Sequence, residues 1–150
     1  MRRKILCPEE QKNGKGKYPQ IYDLRERCFG GFAYEWDDLN TLSNTPEERE
    51  AFWESLCEEG GFRFWLGNYK DYLSCKEANR AVYDFWHTKQ STRVTDPKKR
   101  ALLSPEEPPH PFRVKRPCLE QNYYEVLDLP HVELVDVGDE SGHTTTIMYR

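Results

Sequence analysis

Prolines 105, 108, 109 and 111 crowd the run SPEEPPHPF between Ser104 and Phe112. Each proline fixes its own φ and removes a backbone donor, so neither a helix nor a central strand can pass through this run. Regular structure must stop before Pro105 and resume after Phe112. The two parts of the chain so divided read differently.

Upstream the signals are helical. Thr45-Pro46-Glu47-Glu48 puts a hydroxyl at a cap, proline at the first helical position and glutamate three residues after the cap, a helix start predicted to run to about Glu59. Phe52, Trp53 and Leu56 form its buried side, and Gly60-Gly61 ends it. Glu47, Glu50, Glu54 and Glu58 read as a solvated face, because a carboxylate pair suited to acid-base work needs burial to raise a pKa. Ser74 with Glu77 repeats the capping pattern. From there Ala78, Ala81, Val82, Phe85 and Trp86 make one apolar stripe to about Thr92, the longest helix predicted. A shorter helix is expected over Tyr18 to Cys28, stopped by Gly30-Gly31. Another opens at Asp96-Pro97, with Lys98, Lys99 and Arg100 read as solvated and Leu102 and Leu103 turned inward. Residues 1–17 carry no periodicity and read as a disordered arm.

Downstream, Val114 to Val137 reads VKRPCLEQNYYEVLDLPHVELVDV. A residue before proline is disfavoured in helical geometry, so Arg116 ahead of Pro117 is held extended. Lys115 and Arg116 should therefore project from a stiff, non-helical segment. Gln121 to Leu127 can make about two turns, with Tyr123, Tyr124 and Leu127 sharing a face. Asp128 and Pro130 end it, and the alternation from His131 to Val137 predicts a strand. Thr144 to Tyr149 can add a second. The fold class expected is mainly α with a few short strands, α+β.

Composition narrows the function classes. The net charge is -4, so no global field draws in nucleic acid. No apolar run reaches the length of a membrane span, and the opening MRRKILCPEE lacks the apolar core of a secretory signal. Five cysteines at 7, 28, 57, 75 and 118 form no CxxC pair, and the histidines at 87, 110, 131 and 143 stand at no ligand spacing; no metal site is expected, and the thiols point to an intracellular protein, in the cytoplasm. Hydrophobic residues make up 37%, yet 13% of the chain is aromatic. Rings bury large areas, and a chain rich in them but poor in aliphatics looks like a piece of something larger.

The run KRPCLEQNYYEVLDLPHVELVDV, taken with GGFRFWLGNYKDYL from Gly60 to Leu73 and the helix signal after it, resembles the flavin-dependent Baeyer–Villiger monooxygenases, the family of cyclohexanone and phenylacetone monooxygenases. The similarity extends over roughly Tyr18 to Val137. It implies a helical insertion plus a returning strand of a flavoprotein built on two dinucleotide-binding α/β domains, here incomplete. On that reading residues 1–17 are the disordered arm, 18–113 the insertion-like segment, 114–137 the return to the FAD/NAD(P)-binding domain and 138–150 a divergent tail. The family uses FAD and NADPH to insert one oxygen atom beside the carbonyl of a small-molecule ketone. By resemblance Arg116 matches the active-site arginine beside the flavin, and Lys115 the neighbouring lysine that approaches the 2'-phosphate side of NADPH. Arginine suits such a place because it stays charged and presents a rigid donor fork to developing negative charge. The glycine-aromatic block implies pocket lining, with core packing the alternative for each ring.

The chain departs from the family in what it lacks. No GxGxxG occurs in its 150 residues, nor does the pattern FxGxxxHxxxWP, and Gly30-Gly31 and Gly60-Gly61 lack the strand-turn-helix context that cradles a pyrophosphate. The expectation is a monooxygenase fragment that is inactive alone. The alternative is a non-catalytic remnant whose exposed aromatics dock on a protein partner.

Overall fold

The structure is a computed structural model and describes residues 5–136 and 145–149. Seven α-helices and two β-strands appear in it: α1 Pro8–Gly16, α2 Tyr18–Arg27, α3 Pro46–Glu59, α4 Arg63–Leu66, α5 Lys76–Ser91, α6 Pro97–Leu103, α7 Tyr123–Leu127, β1 Val132–Asp136 and β2 Thr145–Tyr149. The chain divides into two compact units, Met1–Asn79 with Arg113–Gln121, and Arg80–Phe112 with Asn122–Arg150. The architecture is mainly helical with one two-stranded sheet, as the patterning predicts.

In the first unit, α3 forms as its cap chemistry requires. Thr45 Oγ1 accepts from Glu48 N at 3.3 Å, and Glu48 Oε2 accepts from Thr45 N at 2.8 Å, which satisfies two donors left over at a helix start. The helix ends at Gly60, whose φ of 75° suits glycine. Trp53 and Leu56 are buried on its inner side. They meet a core that is aromatic rather than aliphatic: Phe64, Tyr69 and Tyr72 are each no more than 1% exposed. Asn68 joins these parts. Its Oδ1 accepts from Trp53 Nε1 at 3.0 Å and from Tyr69 N at 2.8 Å, while its Nδ2 donates to Phe64 O at 3.1 Å. A buried amide with its donor and acceptor both in use avoids the cost of burying polar atoms unpaired. Buried Thr41 is tied to the same loop, donating through N and Oγ1 to Asp71 Oδ1 at 2.8 and 2.7 Å.

Residues 8–16 correct the expectation of a disordered arm: they are helical. Pro8 stands in the first turn, Glu10 Oε2 accepts from Cys7 N at 3.0 Å, and Lys15 lies in the last turn, so local signals alone favour the helix. Like α2 it contains no buried residue.

The second unit takes α5 from Arg80 onward. Its buried line is Val82 and Tyr83, while Phe85 and Trp86 are half-buried, so the stripe is turned slightly from the predicted one. The reason lies in the proline run, which carries no helix or strand and returns Phe112 against the helix, 5.6 Å from the Tyr83 ring and 5.4 Å from that of Trp86. Ser74 does not open α5 as predicted; the helix begins at Lys76, and Ser74 Oγ donates to Asp71 O at 3.1 Å.

At α6, Asp96 caps as expected, its Oδ1 accepting from Lys98 N at 2.8 Å and Lys99 N at 3.3 Å. The reading of the basic run as solvated holds only for Lys98. Lys99 Nζ donates to Leu127 O and Leu129 O, both at 2.9 Å, and Arg100 Nε donates to Val94 O at 3.0 Å. Both cations cap carbonyls that loops and a helix end leave over. β1 pairs antiparallel with β2, Leu134 opposite Ile147. Val137, the predicted end of the first strand, lies outside the described residues.

Candidate functional site

The segment after Phe112 is where the two aromatic-cationic blocks of the sequence meet. Arg116 to Glu120 form neither helix nor strand, as Pro117 demands. Arg113 has φ 65°, a left-handed conformation uncommon for a side chain of this size. From it the guanidinium lies over the ring of Phe64, Cζ to centroid 5.5 Å. Three residues on, Arg116 lies over the ring of Phe62 at 5.6 Å. Two arginines of the return segment thus stack on two phenylalanines at the start of α4. Contacts of this length are favourable cation-ring interactions.

Phe62 is itself fixed. The Phe32 and Trp65 rings both meet it at 5.7 Å in near-perpendicular orientation, with interplanar angles of 73° and 75°. The approach to it runs through Gly60 and Gly61, both at positive φ. A Cβ on Gly61 would lie 2.9 Å from the Tyr34 hydroxyl oxygen, so that turn admits only glycine without rearrangement. Arg63 points the other way, over the Tyr34 ring at 5.6 Å and with Nε 2.8 Å from Glu59 Oε2. A hollow of about 420 Å³ opens here, lined by Leu6, Tyr34, Gly60, Gly61, Arg63 and Leu119 among others. Beneath the block, burial pushes the Tyr72 phenol well above its ordinary value, against a smaller opposing pull from Arg113; its hydroxyl donates to Trp65 O at 2.8 Å.

Lys115 and Arg116 are both exposed. Among the described residues neither is paired with a carboxylate, so two adjacent positive charges remain available to an anion. A larger hollow in the second unit, about 570 Å³ and lined by Arg80, Asp84, His87, Arg100 and Ser104 among others, has its cations already committed. Arg80 binds Asp84 and Glu107, each at 2.7 Å, and Arg100 donates to backbone carbonyls. No cluster among the described residues could hold a metal ion, and no helix is long and apolar enough to cross a membrane. The glycine pairs follow α2 and α3, closing helices where a dinucleotide site needs a turn from strand into helix. Among the described residues no glycine turn leads from a strand into a helix.

Sequence reasoning singled out Lys115, Arg116 and the glycine-aromatic block, and the structure brings Arg116 to that block. Sequence reasoning did not find Arg113, for which the only available signal was its place directly after the proline run.

No protein-family profile matches the chain. It is 44% identical over 136 residues to the FAD-binding monooxygenase acrE of Aspergillus aculeatus, covering 91% of this chain and 23% of that protein. It is 40% identical over 139 residues to the cyclopentanone 1,2-monooxygenase of a Comamonas species, covering 93% of this chain and 25% of that protein. With a Baeyer–Villiger monooxygenase of Pseudooceanicola batsensis the identity is 33% over 124 residues, 82% of this chain and 22% of that protein. The chain is a relative of the flavin-dependent Baeyer–Villiger monooxygenases. Among solved structures, OTEMO in complex with FAD and NADP superposes with a TM-score of 0.81 at 33% identity, over 88% of this chain and 24% of that one. The chain thus spans about a quarter of the length of the monooxygenases it matches.

Proposed function

We propose that this chain is a section of an FAD- and NADPH-dependent Baeyer–Villiger monooxygenase, the helical insertion and the start of the return to its nucleotide-binding domain. The observation that carries the reading is Arg116, exposed, without a carboxylate partner among the described residues, and stacked on Phe62 beside the glycine-aromatic turn. FAD and NADPH, when bound, supply the hydride transfer and the oxygen chemistry. Arg116 presents its donor fork to negative charge as it builds on the reacting oxygen, and a pre-set cation of this kind lowers the barrier because it need not reorganise. Lys115, a compact charge on a flexible stem, takes the 2'-phosphate side of NADPH. The rest of the monooxygenase supplies the pyrophosphate-binding glycine turns, so the 150-residue chain is inactive alone, and the setting is the cytoplasm.

The test uses the native polypeptide that carries this sequence, purified with its cofactors and supplied with a small cyclic ketone, O2 and NADPH. Ketone-dependent NADPH oxidation with formation of the ring-expanded ester is expected, and Arg116→Ala should lower kcat by roughly 100-fold or more. An Arg116→Ala protein that keeps its kcat overturns the assignment. Turnover by the 150-residue chain with added FAD overturns its status as an incomplete part.

A second reading, a non-catalytic interaction module, is favoured by one feature. Tyr18 and Tyr22 in α2 and Phe29 just after it are 45%, 55% and 65% exposed. A native polypeptide of 17.8 kDa in the source cells would favour this reading, and one several times heavier the first.

A further inference from the structure

We infer that Phe62 is a positioning residue for Arg116, and that Phe32 and Trp65 act through it by holding its ring at a fixed tilt. The inference rests on the reading of Arg116 as the arginine that faces the reacting oxygen. An exposed arginine has four rotatable side-chain bonds, and a guanidinium that must meet developing charge cannot sample them all. Among the described residues no carboxylate orders Arg116. What it has is the face of Phe62 at 5.6 Å, where the negative π cloud attracts the cation.

The ring itself is held by two others. Phe32 and Trp65 each meet Phe62 at 5.7 Å in near-perpendicular orientation, the geometry that pairs the positive edge of one ring with the negative face of another. The backbone under Phe62 is set as well, since Gly60 and Gly61 at positive φ bring it into α4. Phe32 in turn stacks on Tyr34, centroids 6.4 Å apart at 13°, and Arg63 covers Tyr34 on the far side of the turn. A cation therefore closes the aromatic group at each end, Arg63 over Tyr34 and Arg116 over Phe62. The first is neutralised by Glu59; the second meets no carboxylate among the described residues. The arrangement holds the guanidinium by a contact that leaves its N–H donors unspent, which a carboxylate partner would not do.

The test separates this inference from the function on which it rests. In the 150-residue chain, proton NMR should show the Arg116 δ-methylene and Nε–H signals displaced by the ring current of Phe62. Phe62→Leu, which keeps apolar bulk and loses the ring, should return them to ordinary positions, and Phe62→Tyr should retain the displacement. Phe32→Leu and Trp65→Leu, which do not remove the Phe62 ring, should reduce it. Arg116 signals that stay put in Phe62→Leu overturn the inference. If Phe62→Leu does not fold, Phe32→Leu decides in its place, with unmoved Arg116 signals again the overturning result. In the complete polypeptide, Phe62→Leu should lower kcat by roughly two- to fivefold at unchanged KM for NADPH, with Phe62→Tyr restoring it. A rise in KM without loss of kcat would assign Phe62 to ligand binding and overturn the positioning role. Loss of the NMR displacement alongside an Arg116→Ala protein of full activity would leave the stacking intact as a fact and remove the proposed function instead.

Discussion

Arg93 grips Glu125 through two parallel hydrogen bonds, Nε to Oε1 at 2.8 Å and Nη2 to Oε2 at 2.7 Å. The same guanidinium lies 4.8 Å over the Tyr124 ring and donates through Nη1 to Gln90 Oε1 at 2.7 Å. One arginine after α5 therefore holds both an acid and an aromatic of α7, a helix of five residues that is far too short to persist by its own hydrogen bonds. Arg93→Ala should destabilise the second unit by about 1–2 kcal/mol, the range for charged hydrogen bonds after allowance for the partly exposed Glu125. Arg93→Lys should recover less than half of this, because an ammonium cannot make the fork. Urea titration of the two variants checks it.

Asp128, at the end of the same helix, sets an acid limit. Its carboxylate accepts from Thr95 Oγ1 at 2.6 Å, Thr95 N at 2.9 Å and Asp96 N at 3.1 Å, and these bonds hold its pKa down to about 2 against an ordinary 3.8. The folded chain takes up this proton less readily than the unfolded one, so the contribution is complete above about pH 3.8 and is lost as pH falls through about 2. Asp128→Asn should lower stability near neutrality and flatten the fall across that window. Urea midpoints measured from pH 5 to 2 would show a parallel fall in both proteins if Asp128 were not responsible.

Arg113 offers a comparison in which backbone and side chain act in opposite directions. Its φ of 65° strains any residue with a Cβ, and its side chain gains the stack on Phe64. Arg113→Ala loses the stack and keeps the strain. Arg113→Gly loses the stack and the strain, so it should be more stable than Arg113→Ala by about 0.5–1 kcal/mol once the greater freedom of unfolded glycine is counted. Equal stability of the two would mean that the left-handed turn is not held.

Asn68 is the polar centre of the first core. Asn68→Ala should cost about 3 kcal/mol, since the Trp53 indole and the Tyr69 amide lose their acceptor inside a buried site. Thermal unfolding followed by near-ultraviolet circular dichroism would report it, and a loss under about 1 kcal/mol would show that water takes over the Asn68 bonds.

Gly61→Ala should cost about 1–2 kcal/mol, from positive φ and from the approach of the new methyl to the Tyr34 hydroxyl. Adding Tyr34→Phe should return part of that cost, because the clashing oxygen is gone while the ring under Arg63 remains. Additive losses in a double-mutant cycle would assign the whole penalty to the backbone.

What was legible in the sequence were features whose causes are local. The Thr45 to Glu48 cap, the breaks at Gly30-Gly31 and Gly60-Gly61, the Asp96 cap and the non-helical Arg116-Pro117 each follow from residues within four positions of one another, and each is present. The misreading of the basic run has distant causes. Lys99 and Arg100 looked solvated because the carbonyls of Leu127, Leu129 and Val94 that they serve cannot be seen from their own helix. Two misreadings are local: the Ser74 hydroxyl turns back to Asp71 O three residues before it instead of capping α5, and residues 8–16 are helical on the strength of their own first and last turns. At the site, the residue types of both blocks were plain, but the pairing of Arg113 with Phe64 and of Arg116 with Phe62 joins positions about fifty residues apart in sequence. Such a pairing is a property of the folded chain alone.

The aromatic make-up of the two units also decides how each can be watched. Trp36, Trp53 and Trp65 belong to the first unit, and Trp86 is the only tryptophan of the second. In Trp86→Phe every indole photon comes from the first unit, with Trp53 sealed from solvent and bonded to Asn68. With the other three replaced by phenylalanine, the emission of Trp86 beside Phe112 follows the second unit by itself. Two cuvettes would then reveal whether the units melt at one temperature or two, with no label attached.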